Sequence, residues 1–151
     1  MLIYRLCKEQ YATLDGYGAF LYGGRWNFPG KAVVYTAESR ALAALEFLVG
    51  AEHHRSLGKL LMLTIDVPDS LAISELPGIQ LPENWRAYPA AQAVTQLGDA
   101  WAGKEETCLL KVPSVHVPEE HNYLINPRHA EAHTLRITDK KPFRFDDRFM
   151  E

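Results

Sequence analysis

The sequence predicts an α+β fold, and three observations carry that reading. Short apolar or alternating segments that suit strands outnumber helical stretches, no regular strand–helix–strand alternation runs through the chain, and no internal repeat is visible. At 151 residues the chain is expected to form one domain over residues 1–151, long enough to bury roughly 70% of the surface its unfolded form exposes.

The elements follow in order. Residues 2–7 (LIYRLC) read as a first strand with Arg5 on one face. Residues 16–30 hold five glycines, a proline and five aromatics, too glycine-rich for a helix and too aromatic for a disordered linker, so an ordered loop is expected. Residues 32–35 (AVVY) form a short buried strand. Thr36 or Ser39 then caps a helix that Gly50 ends. Residues 60–67 (LLMLTIDV) alternate and make the strongest strand, stopped by Pro68, and residues 71–73 suit another short one. The proline-bearing stretch 77–88 reads as irregular. Pro89 then suits the first turn of a helix with Ala90, Val94, Leu97 and Trp101 on one face, ending near Gly103. Residues 107–112, 122–125, 135–138 and 143–145 are the remaining expected strands.

Composition narrows the function. The chain is 47% hydrophobic and 23% charged with net charge −3, and its 16 basic residues are dispersed or interleaved with acids. That argues against direct nucleic-acid binding. No apolar run approaches the ~18 residues that span a bilayer, and polar residues interrupt any N-terminal signal peptide, so a cytoplasmic protein with no membrane partner is expected. Cys7 and Cys108 belong to no CxxC pair and read as reduced core thiols.

The residue that stands out is Glu46, the one ionisable side chain in the apolar run 41–49 (ALAALEFLV). Leu42, Leu45, Glu46 and Val49 share one helical face, so the carboxylate is expected to point toward the core. Burying an unpaired carboxylate costs several kcal/mol. A purely structural role would pair it with Arg5, Arg25 or Arg40, yet such pairs contribute little net stability, which favours a functional carboxylate. Upstream, GGRWN (residues 23–27) presents Arg25, whose planar fork suits carboxylate or phosphate. Together with Arg5 it could neutralise a pyrophosphate. Tyr35 ends the AVVY strand. Ser114 in KVPSV lacks the surroundings of a nucleophile. His129 and His133 are spaced i, i+4 but lack the HExxH pattern, so no metal site is expected.

These blocks, taken in order, resemble a known family. YRL, GGRWN, VVYTAES with ALAALE, KVPSV, and NYLINPRH are similar to the sequence blocks of the RES domain family, named for an arginine, a glutamate and a serine. The matching residues here are Arg25, Glu46 and Ser114. The resemblance implies a bacterial type II toxin that consumes NAD+, with a compact α+β fold of short, mostly antiparallel strands and flanking helices similar to ADP-ribosyltransferases such as diphtheria toxin. It implies a cognate antitoxin of the Xre-type helix-turn-helix class and leaves room for an oligomer within that complex.

The implied chemistry is cleavage of the nicotinamide–ribose bond, with NAD+ as substrate and no metal. Under it Glu46 stabilises the cationic ribose, Arg25 and Arg5 take the pyrophosphate, Tyr35 bounds nicotinamide, Ser114 donates to nicotinamide or ribose, and Asn126 lines the cleft. Hydrolysis or phosphorolysis that depletes NAD+, and mono-ADP-ribosylation of a host protein, share every one of these assignments. A nucleic-acid-acting toxin would recruit His116, His129 and the basic residues instead.

Overall fold

The computed structural model describes residues 1–50 and 58–150. Seven strands form one sheet: β1 (Leu2–Lys8), β2 (Val34–Ala37), β3 (Leu60–Asp66), β4 (Ile73–Glu75), β5 (Leu109–Pro113), β6 (His121–Ile125) and β7 (Arg136–Phe143). Their spatial order is β4-β5-β6-β2-β1-β3-β7, antiparallel throughout except for the β4–β5 pair. Three α-helices accompany them: α1 (Tyr17–Tyr22), α2 (Arg40–Gly50) and α3 (Gln92–Lys104).

The sheet is weakly joined at its middle. β1 and β2 register at the single pair Tyr4↔Ala37, whereas β1 and β3 share seven consecutive pairs. The halves β4-β5-β6-β2 and β1-β3-β7 fold toward each other over a common core. Ile3, Cys7, Leu61, Leu63 and Ile65 from one half meet Val34, Leu109, Tyr123 and Ile125 from the other. Alternate residues of the same strands face outward to the helices. Leu6, Leu60 and Met62 pack under Leu42 and Ala43 of α2, while Leu110, Val112 and Leu124 pack under Val94, Trp101 and Ala102 of α3.

That arrangement explains β3. Its alternating pattern suggests one wet face, but six of its seven residues are buried. The alternation sorts side chains between two cores, the shared one and the one under α2, because partners cover both faces.

Four expectations are corrected. The glycine-rich segment contains α1, whose end is closed by the Gly23 amide donating to the Ala19 carbonyl at 2.8 Å. Helix α3 begins at Gln92, after an Ala91 N-cap, so Pro89 and Ala90 lie in the preceding turn. Residues 135–138 and 143–145 are not two strands, because residues 136–143 run unbroken along β3 with one irregularity opposite Thr64 and Ile65. Pro142 is accommodated because β7 is an edge strand, with one side of its backbone unpaired. Finally, Ser39 alone caps α2: its Oγ accepts from the Leu42 amide at 3.1 Å, while the Thr36 hydroxyl donates to the Tyr123 carbonyl at 2.6 Å. Cys7 and Cys108 are both buried and unpaired, and burial pushes the Cys108 thiol up to about 11.

Candidate active site

A cleft of about 540 Å³ opens where β1 and β2 part, within the range of small-molecule sites. Arg5 from β1, Tyr35 from β2, Arg25 from the preceding loop, Glu46 from α2 and Asn122 from β6 all line it.

The loop carrying Arg25 is shaped by α3. The Thr95 hydroxyl donates to the Arg25 carbonyl at 2.9 Å, and one turn later Asp99 Oδ1 accepts from the Phe28 amide at 3.1 Å. Between them Gly98 lies so close to the Trp26 carbonyl that an added Cβ would collide with it. Trp26 itself is core, 3% exposed. On the other side the Tyr35 hydroxyl accepts from the Trp26 amide at 3.0 Å and donates to Asn27 Oδ1 at 2.6 Å. Asn27 is buried, and its amide donates onward to backbone carbonyls. A Cβ on Gly24 would stand 2.6 Å from the Tyr35 oxygen, so GGRWN needs its second glycine to let this hydroxyl in. Burial pushes the Tyr35 phenol well above its ordinary value, so it acts as a neutral hydrogen-bonding post while its ring lines the cleft.

Arg25 Nη1 donates to the carbonyls of Trp85 at 3.1 Å and Ala87 at 2.8 Å. Burial pulls its pKa below the ordinary guanidinium value, and the negative charge of Glu46 opposes that shift. Arg5 differs in being unsatisfied: its Nε is buried without a hydrogen-bond partner on the cleft wall. A donor held out of water in this way gains from a ligand acceptor.

Glu46 is placed differently from expectation. Its side chain is 29% exposed on the cleft wall rather than in the core, and Val49, one turn on, is 55% exposed. No arginine pairs with it among the described residues. Instead Oε1 accepts two 2.7 Å hydrogen bonds, from Ser114 Oγ and Asn122 Nδ2, and Oε2 lies 3.5 Å from His116 Nε2. Ser114 is wholly buried and accepts from the amides of His116 at 3.1 Å and Val117 at 3.2 Å. Its single proton is thereby aimed at the carboxylate. Ser114 stands behind Glu46 and does not line the cleft.

Asn126 is not brought to the site. It is 2% exposed, donates to the Ala102 carbonyl at 2.9 Å, accepts from the Arg128 amide, and ties the end of β6 to α3. Sequence reasoning missed Asn122, four residues earlier in the same NYLINPRH block, and passed over His116 as a carboxylate neighbour. Only the tertiary fold reveals them, Asn122 through β6 and His116 through the β5–β6 connection, since both reach Glu46 from about 70 residues or more away. His129 and His133 are engaged with nearby backbone, and among the described residues no group of three or more His, Cys, Asp or Glu is placed to hold a metal. No described helix is long and apolar enough to cross a membrane.

The architecture is a small α+β domain with its cleft at the parting of one mixed sheet. The fold is shared with a chain of the M. tuberculosis MbcT–MbcA toxin–antitoxin complex, with a TM-score of 0.78 at 20% identity over 94% of this chain and 83% of that one. A RES domain model matches residues 2–146, and the chain belongs to the RES domain family. It is 40% identical over 151 residues to "Toxin Res" of Yersinia enterocolitica, covering 98% of this chain and 99% of that protein. It is 45% identical over 143 residues to the "Prs ADP-ribosylating toxin" of a Sphingobium species, covering 91% and 86%. A "Toxin Res" of Photorhabdus laumondii is 35% identical over 154 residues, covering 100% and 98%.

Proposed function

We propose that this protein is the toxin of a bacterial type II toxin–antitoxin system and that it cleaves the nicotinamide–ribose bond of NAD+ in the cytoplasm. The observation that carries this reading is the Glu46 carboxylate, clamped at Oε1 by Ser114 and Asn122, on the same cleft wall system as two arginines. Such a site pairs one fixed negative charge with two positive ones, which matches a dinucleotide that has an anionic pyrophosphate and reacts through a cationic ribose.

In the reaction the bond between ribose C1′ and the pyridinium nitrogen breaks. Its electron pair goes to nitrogen, so nicotinamide leaves neutral without a general acid, and positive charge develops on the ribose. Glu46 stabilises that charge, being already oriented and needing no reorganisation when the bond breaks. Arg25 and Arg5 hold the pyrophosphate, and the Tyr35 ring bounds the nicotinamide end. Ser114 and Asn122 act through Glu46 by fixing its rotamer. Water or phosphate adds to C1′, and the proton of an attacking water is lost to solvent.

The Sphingobium relative supports a second reading, in which the acceptor is a side chain of a host protein. Incubating purified protein with NAD+ tests the shared step through release of free nicotinamide. Free or phosphorylated ADP-ribose then indicates NAD+ consumption, and a labelled protein indicates transfer. An antitoxin of the Xre-type helix-turn-helix class is the proposed partner, supported by the family resemblance and by the toxin–antitoxin complex that shares the fold. Expression without it should stop growth as NAD+ falls, and Glu46→Gln should be tolerated at equal expression. Arrest by that variant would remove catalysis as the cause.

A further inference from the structure

We infer that residues 82–88 form a strap that orients Arg25 toward the ligand, with Arg86 as its tether. This rests on the reading of Arg25 as a pyrophosphate ligand. The strap is two successive turns, closed by the Trp85 amide on the Pro82 carbonyl at 3.0 Å and the Ala87 amide on the Asn84 carbonyl at 3.0 Å. The carbonyls of Trp85 and Ala87 thereby face one way and take both protons of Arg25 Nη1. A guanidinium carries five N–H donors, so saturating Nη1 leaves Nε and Nη2, a two-nitrogen edge of the kind that grips a phosphate. A free arginine would sample many rotamers. This one is held at two points, and the entropy of fixing it is spent before the ligand arrives.

The strap in turn needs an anchor, since residues 83 and 84 and 86–89 are exposed. It has two. The Trp85 ring packs against the core under α3, and Arg86 Nε donates to the Val115 carbonyl at 3.0 Å. Val115 belongs to the turn that carries Ser114. That turn is closed independently by the Ser114 amide on the Glu120 carbonyl and the Glu120 amide on the Val117 carbonyl. It is therefore a fixed post for Arg86 and does not depend on it.

Arg86 is accordingly a positioning residue, and the expected signature is a loss of affinity transmitted through Arg25. Arg86→Ala should weaken binding of a non-cleavable NAD+ analogue about three- to tenfold, the scale of one ordinary hydrogen bond, with a smaller change in turnover at saturation. Arg86→Lys should recover part of the loss. In an Arg25→Ala background Arg86→Ala should cost nothing further.

A second measurement needs no ligand. Arg25→Ala should speed hydrogen exchange at the Trp85 and Ala87 amides severalfold, because coupling between two sites is reciprocal. If wild-type protein fails to bind the analogue, the NAD+ reading falls and the exchange measurement still decides the strap. Unchanged exchange overturns the inference, as does an Arg86→Ala loss that is equal with and without Arg25, or a loss confined to turnover.

Discussion

Ser114 Oγ and Glu46 Oε1 lie 2.7 Å apart although 68 residues separate them in the chain. Because the serine hydroxyl already accepts two backbone amides, its proton has one destination, and the carboxylate is held by a group that never meets the cleft.

Glu46→Gln should leave the fold intact, since an amide oxygen still accepts from Ser114 and Asn122, and should lower turnover on the order of 100-fold or more if the oxyanion-hole scale transfers to this opposite charge. Nicotinamide release with a thermal melt as control reads both. A folded variant that works at the original rate makes Glu46 structural.

Asn122→Asp tests the clamp by pH. A second carboxyl at 2.7 Å from Glu46 can imitate asparagine only while protonated, and the neighbouring negative charge raises the pKa of the pair. Activity relative to wild type should be highest in acid and fall as pH rises through that raised value. A flat ratio across pH would take Asn122 out of contact with Glu46.

Arg25→Lys should act as a severe change. One ammonium cannot serve the Trp85 and Ala87 carbonyls and also present a two-nitrogen edge, so affinity for an NAD+ analogue should drop roughly 10-fold or more. Calorimetry that finds it unaltered would move Arg25 away from the phosphates.

Gly24→Ala should destabilise the protein by about 1–3 kcal/mol, the scale of overpacking, because its Cβ would displace the Tyr35 hydroxyl from Trp26 and Asn27. Urea unfolding checks this. Full stability would mean that the close approach of residue 24 to Tyr35 is dispensable.

Tyr35 also predicts an alkaline effect. Its folded pKa is raised above the unfolded value of 10.0, so stability is complete below that pH and declines above it, as the unfolded chain ionises first. Tyr35→Phe should show a shallower decline between about pH 10 and 11. Identical slopes would sink this assignment.

The sequence made Glu46 conspicuous because a charge breaks an apolar run, and helical spacing correctly placed it on the face of Leu42. Spacing names a face without saying what covers it. Here the face passes from core at Leu42 to open cleft at Glu46, which is why an arginine partner was expected and a serine and an asparagine were found. Helix α1 was hidden by glycines that look like loop but serve at its ends, Gly16 as N-cap and Gly23 as C-cap. Ser114 was legible as a position and not as a role, because its backbone donors and its buried place behind Glu46 arise from the β5–β6 connection folding back on itself.

The single Tyr4↔Ala37 pair gives the sheet a spine with one stitch. Arg5 sits on one leaf, and Arg25, Tyr35 and Asn122 belong to the other. A molecule gripped by Arg5 and Arg25 together adds a second stitch from outside the chain. Occupancy of the cleft therefore changes how the leaves come apart: ligand-bound protein should unfold in a sharper, hotter calorimetric transition, with the substrate serving as the rivet that the ladder omits.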